Sequence, residues 1–189
     1  LCARLSWLTG VEVFAPRYRV APADPFPAAV EDVRAAWDGI MEKGYAPGDV
    51  VLAGDSAGGN LILGLLADLC ASGQVPAGVA AMSPVVDFTF AGASMRDNER
   101  VEAMLPARRR NDVIGWYLRG ADPRDPHVSP LFAAFDCPPP TLIQVAENEI
   151  LRDDALRMAE ALRKAGGDVT VQTWPNAPHV FQIFDGWVP

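Results

Sequence analysis

Apolar residues fall along this chain in short runs and in helical stripes, and the two alternate. Leu1, Leu5 and Leu8 recur at spacings of four and three, and Gly10 follows where a helix C-cap glycine belongs. The first ten residues therefore read as the later part of a helix. Five runs rich in Val, Ile, Leu or Ala, each bounded by turn residues, predict buried strands over 11–15, 49–53, 78–82, 141–146 and 169–174. Between them Pro27 suits a first helical turn. Val30, Val33, Trp37, Ile40 and Met41 then form one apolar stripe, with Glu31, Asp32, Arg34, Asp38 and Glu42 turned elsewhere. The stretch 57–71 is apolar nearly all round and predicts a helix buried on most sides. The stretch 153–165 repeats Leu156, Ala159 and Leu162 before Gly166-Gly167 stops it. Strand alternating with helix predicts an α/β fold: a mostly parallel sheet with helices on both faces, in one domain over 1–189.

One stretch interrupts the alternation. Residues 87–136 are polar, proline-bearing and irregular, and too long for a plain loop between two strands. Their first part, 87–120, reads as an inserted lid or cap. Within it Val113, Trp116 and Tyr117 can share a helix face. Arg108-Arg109-Arg110 reads as a solvated helix face, with anion binding as the minor alternative.

Charge and cysteine usage narrow the function classes. A formal net charge of −8 over 189 residues excludes the basic face that phosphate backbones need, so no nucleic-acid partner is expected. No apolar run approaches the ~18 residues of a membrane span. The three cysteines, Cys2, Cys70 and Cys137, are widely spaced and give neither a metal pattern nor a disulfide framework. With no signal-peptide pattern at its start, the chain is expected in the cytoplasm, without a metal or organic cofactor. A homo-oligomer is compatible with this composition.

The sharpest chemical signal is Gly54-Asp55-Ser56-Ala57-Gly58, a G-x-S-x-G motif between a predicted buried strand and a long apolar helix. That context sets it apart from a chance match. A phosphate loop is excluded by the missing lysine and by the absent G-x-G-x-x-G spacing. At a sharp strand-to-helix turn, side chains at positions 54 and 58 would crowd the packing. The turn would lift the Ser56 hydroxyl above the sheet and aim the Ala57 N–H at an oxyanion.

A serine nucleophile needs a base, and the chain has only two histidines. His179 follows the last predicted strand, at a strand C-terminal end where open α/β sheets place their sites. His127 lies in an irregular Asp-Pro-His segment before its strand, which suits a surface or capping role. The third member should be a carboxylate after 141–146, where Glu147, Glu149, Asp153 and Asp154 cluster. Asp153 and Asp154 open the next helix, where capping and dipole effects account for them. Chemistry alone does not separate Glu147 from Glu149.

GDSAGGN, the preceding FAPRYRVAPADPFPAAVEDVRAAW and the later SPLF, PPPTLIQVAENEILRDDALRMAEAL and WPNAPHVFQIF resemble the hormone-sensitive-lipase-like serine esterases. These are a branch of the α/β-hydrolase superfamily. The family's Asp-Pro-Leu-Arg-Asp motif falls on Glu149-Ile150-Leu151-Arg152-Asp153, which places the triad acid at Glu149, with Glu147 or Asp153 as substitutes. A bacterial subgroup is similar in using Glu. The resemblance implies a carboxylesterase acting on short-chain acyl esters or small lactones through Ser56, Glu149 and His179, with Ala57 in the oxyanion hole. Asp55, Phe88, Trp116 and Tyr117 are the expected substrate contacts, with Phe90 and Met95 as further lining. It also implies a His-Gly-Gly-Gly loop ahead of the helix at Leu1. That loop is not in this sequence, and the chain ends at Trp187-Val188-Pro189 directly after the last motif. A piece of a longer enzyme, weak or inactive alone, is therefore expected. The rival readings are a ligand-binding protein on the same fold and a peptidase or acyltransferase.

Overall fold

The structure is a computed structural model that describes residues 1–186. Trp187-Val188-Pro189, and any expectation about how the chain closes there, lie outside the described residues. Helix α1 (Cys2–Thr9) ends at Gly10, whose φ of 69° is the left-handed cap conformation. Helix α2 (Ala28–Glu42) starts from Pro27. Then follow β1 (Val51–Asp55), α3 (Ala57–Ala71), β2 (Gly78–Met82), α4 (Ser94–Asp97), α5 (Arg110–Leu118), β3 (Thr141–Ala146), α6 (Arg152–Lys164) and β4 (Val169–Trp174). The strands form one four-stranded sheet in the order β1-β2-β3-β4, every pairing parallel.

Strand alternation explains the main core. Val79, Ala81, Ile143 and Val145 sit on one face of the sheet and pack with Leu63 and Leu66 of α3 and with Met158, Ala159 and Leu162 of α6. The nearly all-apolar composition of α3 has a second cause, because its far side carries α2. Trp37 packs there on Leu65 and Leu69, and Val33 packs on Leu61. Burying each such side chain stabilises the fold by about 1.5–3 kcal/mol before entropy is counted.

Two strand expectations change. The run at 11–15 is not a strand; no ladder meets it among the described residues, and Val11, Val13 and Phe14 are exposed. A strand is a paired structure, and an apolar pattern alone does not make one. The next strand begins at Val51 and not at 49, because Pro47–Asp49 forms a 3-10 turn in which the Asp49 carboxylate accepts the Ala46 N–H at 2.9 Å.

The 87–120 stretch is ordered into α4, a 3-10 turn over Ala107–Arg109 and α5. It joins two apolar clusters apart from the main core. Met95 and Ala107 pack with Ile150 and Leu151, while Phe88 and Leu118 pack with Val128.

Candidate active site

Each of the four strands delivers one polar side chain just beyond its C-terminal end, and the four meet. Ser56 follows β1, Ser83 follows β2, Glu149 follows β3 and His179 follows β4. His179 Nε2 lies 2.9 Å from Ser56 Oγ, and His179 Nδ1 lies 2.6 Å from Glu149 Oε2. A carboxylate oxygen only accepts, so the Nδ1–H donates to Glu149 and leaves Nε2 free to accept from the serine hydroxyl. The other carboxylate oxygen, Oε1, accepts the Ala146 N–H at 2.7 Å and the Ser83 hydroxyl at 2.7 Å. Ser83 Oγ in turn accepts the Val180 N–H at 3.2 Å, which fixes the chain beside His179. Glu149 and His179 are buried, at 1% and 4% exposure. In that setting charge-assisted bonds are strong and fix geometry.

The backbone is strained where these groups sit. Ser56 has φ 51° and ψ −115°, Ser83 has φ 49° and Val180 has φ 50°. Non-glycine residues hold such conformations only when the surroundings enforce them, and they concentrate at functional sites. At Ser56 the enforcement is visible. A Cβ on Gly54 would lie 2.5 Å from the Gly58 carbonyl oxygen, and one on Gly59 would lie 2.8 Å from Pro84 Cβ. Gly58 itself has open space around its Cα, so the crowding expected there falls on Gly59.

The other sequence candidates separate cleanly. His127 accepts no role here; its Nε2 lies 3.1 Å from Asp68 and its backbone N–H donates to Asp125. Glu147 is exposed. Asp153 accepts the Ser94 N–H at 2.9 Å, and Asp154 accepts the Val86 and Asp87 N–H groups at 2.9 and 3.1 Å. The two aspartates thus cap the 86–94 segment across from them and not their own helix, which has no side-chain cap. Burial pushes the Asp154 carboxyl up to about 7, helped by the neighbouring charge of Asp87 and opposed by those backbone bonds.

Ser56 and Ala57 open onto a cavity of about 370 Å³, walled among others by Phe88, Phe90, Met95 and Tyr117. Ala57 is the first residue of α3, so its N–H belongs to the set of donors that a helix start leaves unpaired. Two expected substrate contacts are not on this wall. Helix α5 turns Val113 and Tyr117, four apart, toward the cavity; Trp116 points outward, 46% exposed, with the Arg109 guanidinium stacked over its ring at 5.2 Å. Asp55 shares the alternation of Val51 and Ala53, opposite Leu52 and Gly54, which face α3. It is not among the lining residues, but its charge reaches Tyr18, which is, and adds to burial in raising the Tyr18 phenol above its ordinary value. Arg108, Arg109 and Arg110 are all exposed, as expected of a solvated face, and Arg109 and Arg110 also border the cavity. Sequence reasoning missed Ser83. Its only sequence signal is its place directly after a strand, the position Ser56 holds after β1.

A model of the α/β-hydrolase fold family matches residues 1–183. The chain belongs to that family, in its hormone-sensitive-lipase-like branch. It is 40% identical to an acetyl-hydrolase of Streptomyces hygroscopicus over the whole chain and 64% of that protein, and 35% identical to an esterase of Acinetobacter venetianus over the whole chain and 63% of that protein. The chain thus spans just under two thirds of the length of these relatives. Among solved structures it resembles an esterase of the bacterial hormone-sensitive lipase family, with a TM-score of 0.87 and 38% identity over 91% of this chain and 58% of the other. Among the described residues no helix is long and apolar enough to cross a membrane, and no cluster of His, Cys, Asp and Glu could hold a metal ion.

Proposed function

We propose that this chain carries the acyl-transfer centre of a serine carboxylesterase acting on small esters. The hydrogen-bonded sequence Ser56 Oγ, His179 Nε2, His179 Nδ1, Glu149 Oε2 carries the reading. Relatives named acetyl-hydrolase and esterase support it. In the reaction Ser56 Oγ attacks the ester carbonyl carbon while its proton passes to His179 Nε2. Glu149 holds the ring and stabilises the imidazolium. The Ala57 N–H, at the positive end of α3, stabilises the oxyanion. When the C–O bond breaks, His179 gives its proton to the leaving alcohol. Water, deprotonated by the same histidine, then attacks the acyl-enzyme and frees the acid and Ser56.

The 87–120 stretch acts as a lid over the acyl side of the site. Its Phe88, Phe90, Met95 and Tyr117 make that side strongly apolar, which suits an uncharged acyl chain. Three free cysteines fit a cytoplasmic location.

Hydrolysis of p-nitrophenyl butyrate by the whole protein, alongside its Ser56→Ala variant, tests the reading. Loss of turnover in the variant is expected. Equal turnover in both would refute it, and faster cleavage of the matching anilide would reassign the protein to amide hydrolysis.

A further inference from the structure

The lid does more than face the cavity: part of it is tied to the loop that carries Glu149. Asn98 donates its side-chain amide to two carbonyls of that loop, Glu147 at 2.9 Å and Glu149 at 2.8 Å. Ser94 donates its hydroxyl to the Ile150 carbonyl at 2.7 Å and accepts the Asp153 N–H at 3.0 Å. The Glu102 carboxylate reaches further. Its Oε2 accepts the Ile150 N–H at 3.2 Å, and its Oε1 accepts the Met104 and Leu105 N–H groups at 2.8 and 3.2 Å. The Glu147–Asn148 and Glu149–Ile150 peptide groups are thus fastened from the lid, the second of them at both its carbonyl and its N–H.

The same segment forms the acyl wall. Met95 and Leu105 pack on Ile150 and Leu151, and all four line the cavity. Ile150 therefore belongs to the wall through its side chain, to the lid through its backbone, and to Glu149 through the chain. A group resting on this wall presses on the element that aims the carboxylate.

We propose that Asn98 and Glu102 are positioning residues that set Glu149 against His179 and couple filling of the acyl cavity to alignment of the triad. The proposal rests on the esterase reading. Neither side chain touches the reacting atoms. Both hold the Glu149–Ile150 peptide next to the acid, Asn98 at its carbonyl and Glu102 at its N–H, and the Glu149–His179 bond matters most when the imidazolium forms. Their loss should therefore fall on kcat and leave KM almost unchanged.

The test uses the whole protein with Asn98→Ala, and with Asn98→Asp, which keeps the size but removes both donors. Three quantities are read: kcat and KM on p-nitrophenyl acetate and hexanoate; the rate at which diethyl p-nitrophenyl phosphate modifies Ser56; and the melting temperature. In the second reaction the Ser56 Oγ–P bond forms, p-nitrophenolate leaves, and the serine proton goes to His179. It reports triad competence without an acyl chain in the cavity.

The expected result is a kcat loss of roughly tenfold on acetate, the order that a sub-ångström misalignment costs. The loss should be smaller on hexanoate, whose chain props the wall. KM should hold within about twofold, and phosphorylation should slow in step with kcat. Unchanged kcat with a lower melting temperature would overturn the proposal and leave the contact purely structural. Raised KM with unchanged phosphorylation would overturn it in favour of a passive wall. If the Asn98 variants fail to fold, Glu102→Gln gives the second reading. It swaps one acceptor oxygen for an amide, so the bonds to Ile150 and to Leu105 no longer both form, and the same outcomes decide. A parent protein that hydrolyses neither ester and leaves Ser56 unmodified would remove the esterase reading, and this proposal with it.

Discussion

Glu149 lies in the loop between β3 and α6, Asp154 in the first turn of α6 five residues on, and both are 1% exposed. They face different company. Glu149 meets a histidine that can take up positive charge, together with a hydroxyl and one backbone N–H. Asp154 meets two backbone N–H groups, with the Asp87 carboxylate nearby and Arg157 bonded to Asp87 at 2.6 Å. One carboxylate bonds the histidine that bonds Ser56, and in the proposed reaction it steadies the proton transfer. The other holds a loop in place and stays hard to ionise. Burial alone does not separate a working carboxylate from a structural one; the groups around it do.

Replacing each acid by its amide should break the symmetry most strongly. Glu149→Gln leaves the shape but turns the wrong group toward His179, and kcat/KM on p-nitrophenyl butyrate should fall roughly 10³–10⁴-fold. Asp154→Asn keeps an acceptor for the Val86 and Asp87 N–H groups, so kcat should stay within about threefold, well inside ordinary context effects. Its effect belongs to stability. The folded carboxyl titrates at about 7, above its ordinary value, so the folded state holds more protons than the unfolded one from about pH 4 to 7. Stability from this group is therefore lost as pH rises through that window and is constant above it. The scale is on the order of 4 kcal/mol. Melting curves of the parent should fall relative to Asp154→Asn over that range. Asp87 works the other way. Burial raises its carboxyl, but bonds from Thr89 and Arg157 outweigh this and hold it below the usual range. Its stabilisation is present above about pH 4 and is lost as pH falls.

Smaller effects sharpen the contrast. Ser83→Ala removes one donor from Glu149 and leaves the Val180 N–H without its acceptor. A kcat loss of about tenfold is expected, the size of about one lost buried hydrogen bond. Phe88→Ala opens the cavity wall and should raise KM a few-fold on butyrate, roughly the effect of a methylene or two in an apolar pocket. Trp116→Ala, on the outward face of the same lid, should leave kcat and KM unchanged. An equal effect of the two would show that the cavity wall has been drawn in the wrong place.

How much of this the sequence announces depends on whether a feature is local. Helix α1 and its glycine cap, the elbow at Ser56 and the strands β2, β3 and β4 all rest on contiguous patterns, and they agree with the structure. The run at 11–15 has the same apolar signature but no partner among the described residues, and a pattern does not encode its partner. Only the family resemblance favours Glu149 over Glu147 in the sequence; in the structure the Glu149 carboxylate takes part in three hydrogen bonds, while Glu147 is exposed and its carboxylate bonds nothing among the described residues. Ser83 and Asn98 were silent because their partners lie 66 and 51 residues away. Three aromatic or apolar residues on a short helix do not say which faces inward; in the structure Val113 and Tyr117 line the cavity and Trp116 stands outside it under Arg109.

Rapid mixing of the whole protein with p-nitrophenyl butyrate, followed by mass analysis of the quenched chain, tests the central claim most directly. The account predicts that p-nitrophenolate appears with a butyryl group on Ser56, and that Glu149→Gln slows acylation of that same serine by about 10³-fold or more. Acylation at another residue, or equal acylation rates in the parent and the Glu149→Gln variant, would contradict it.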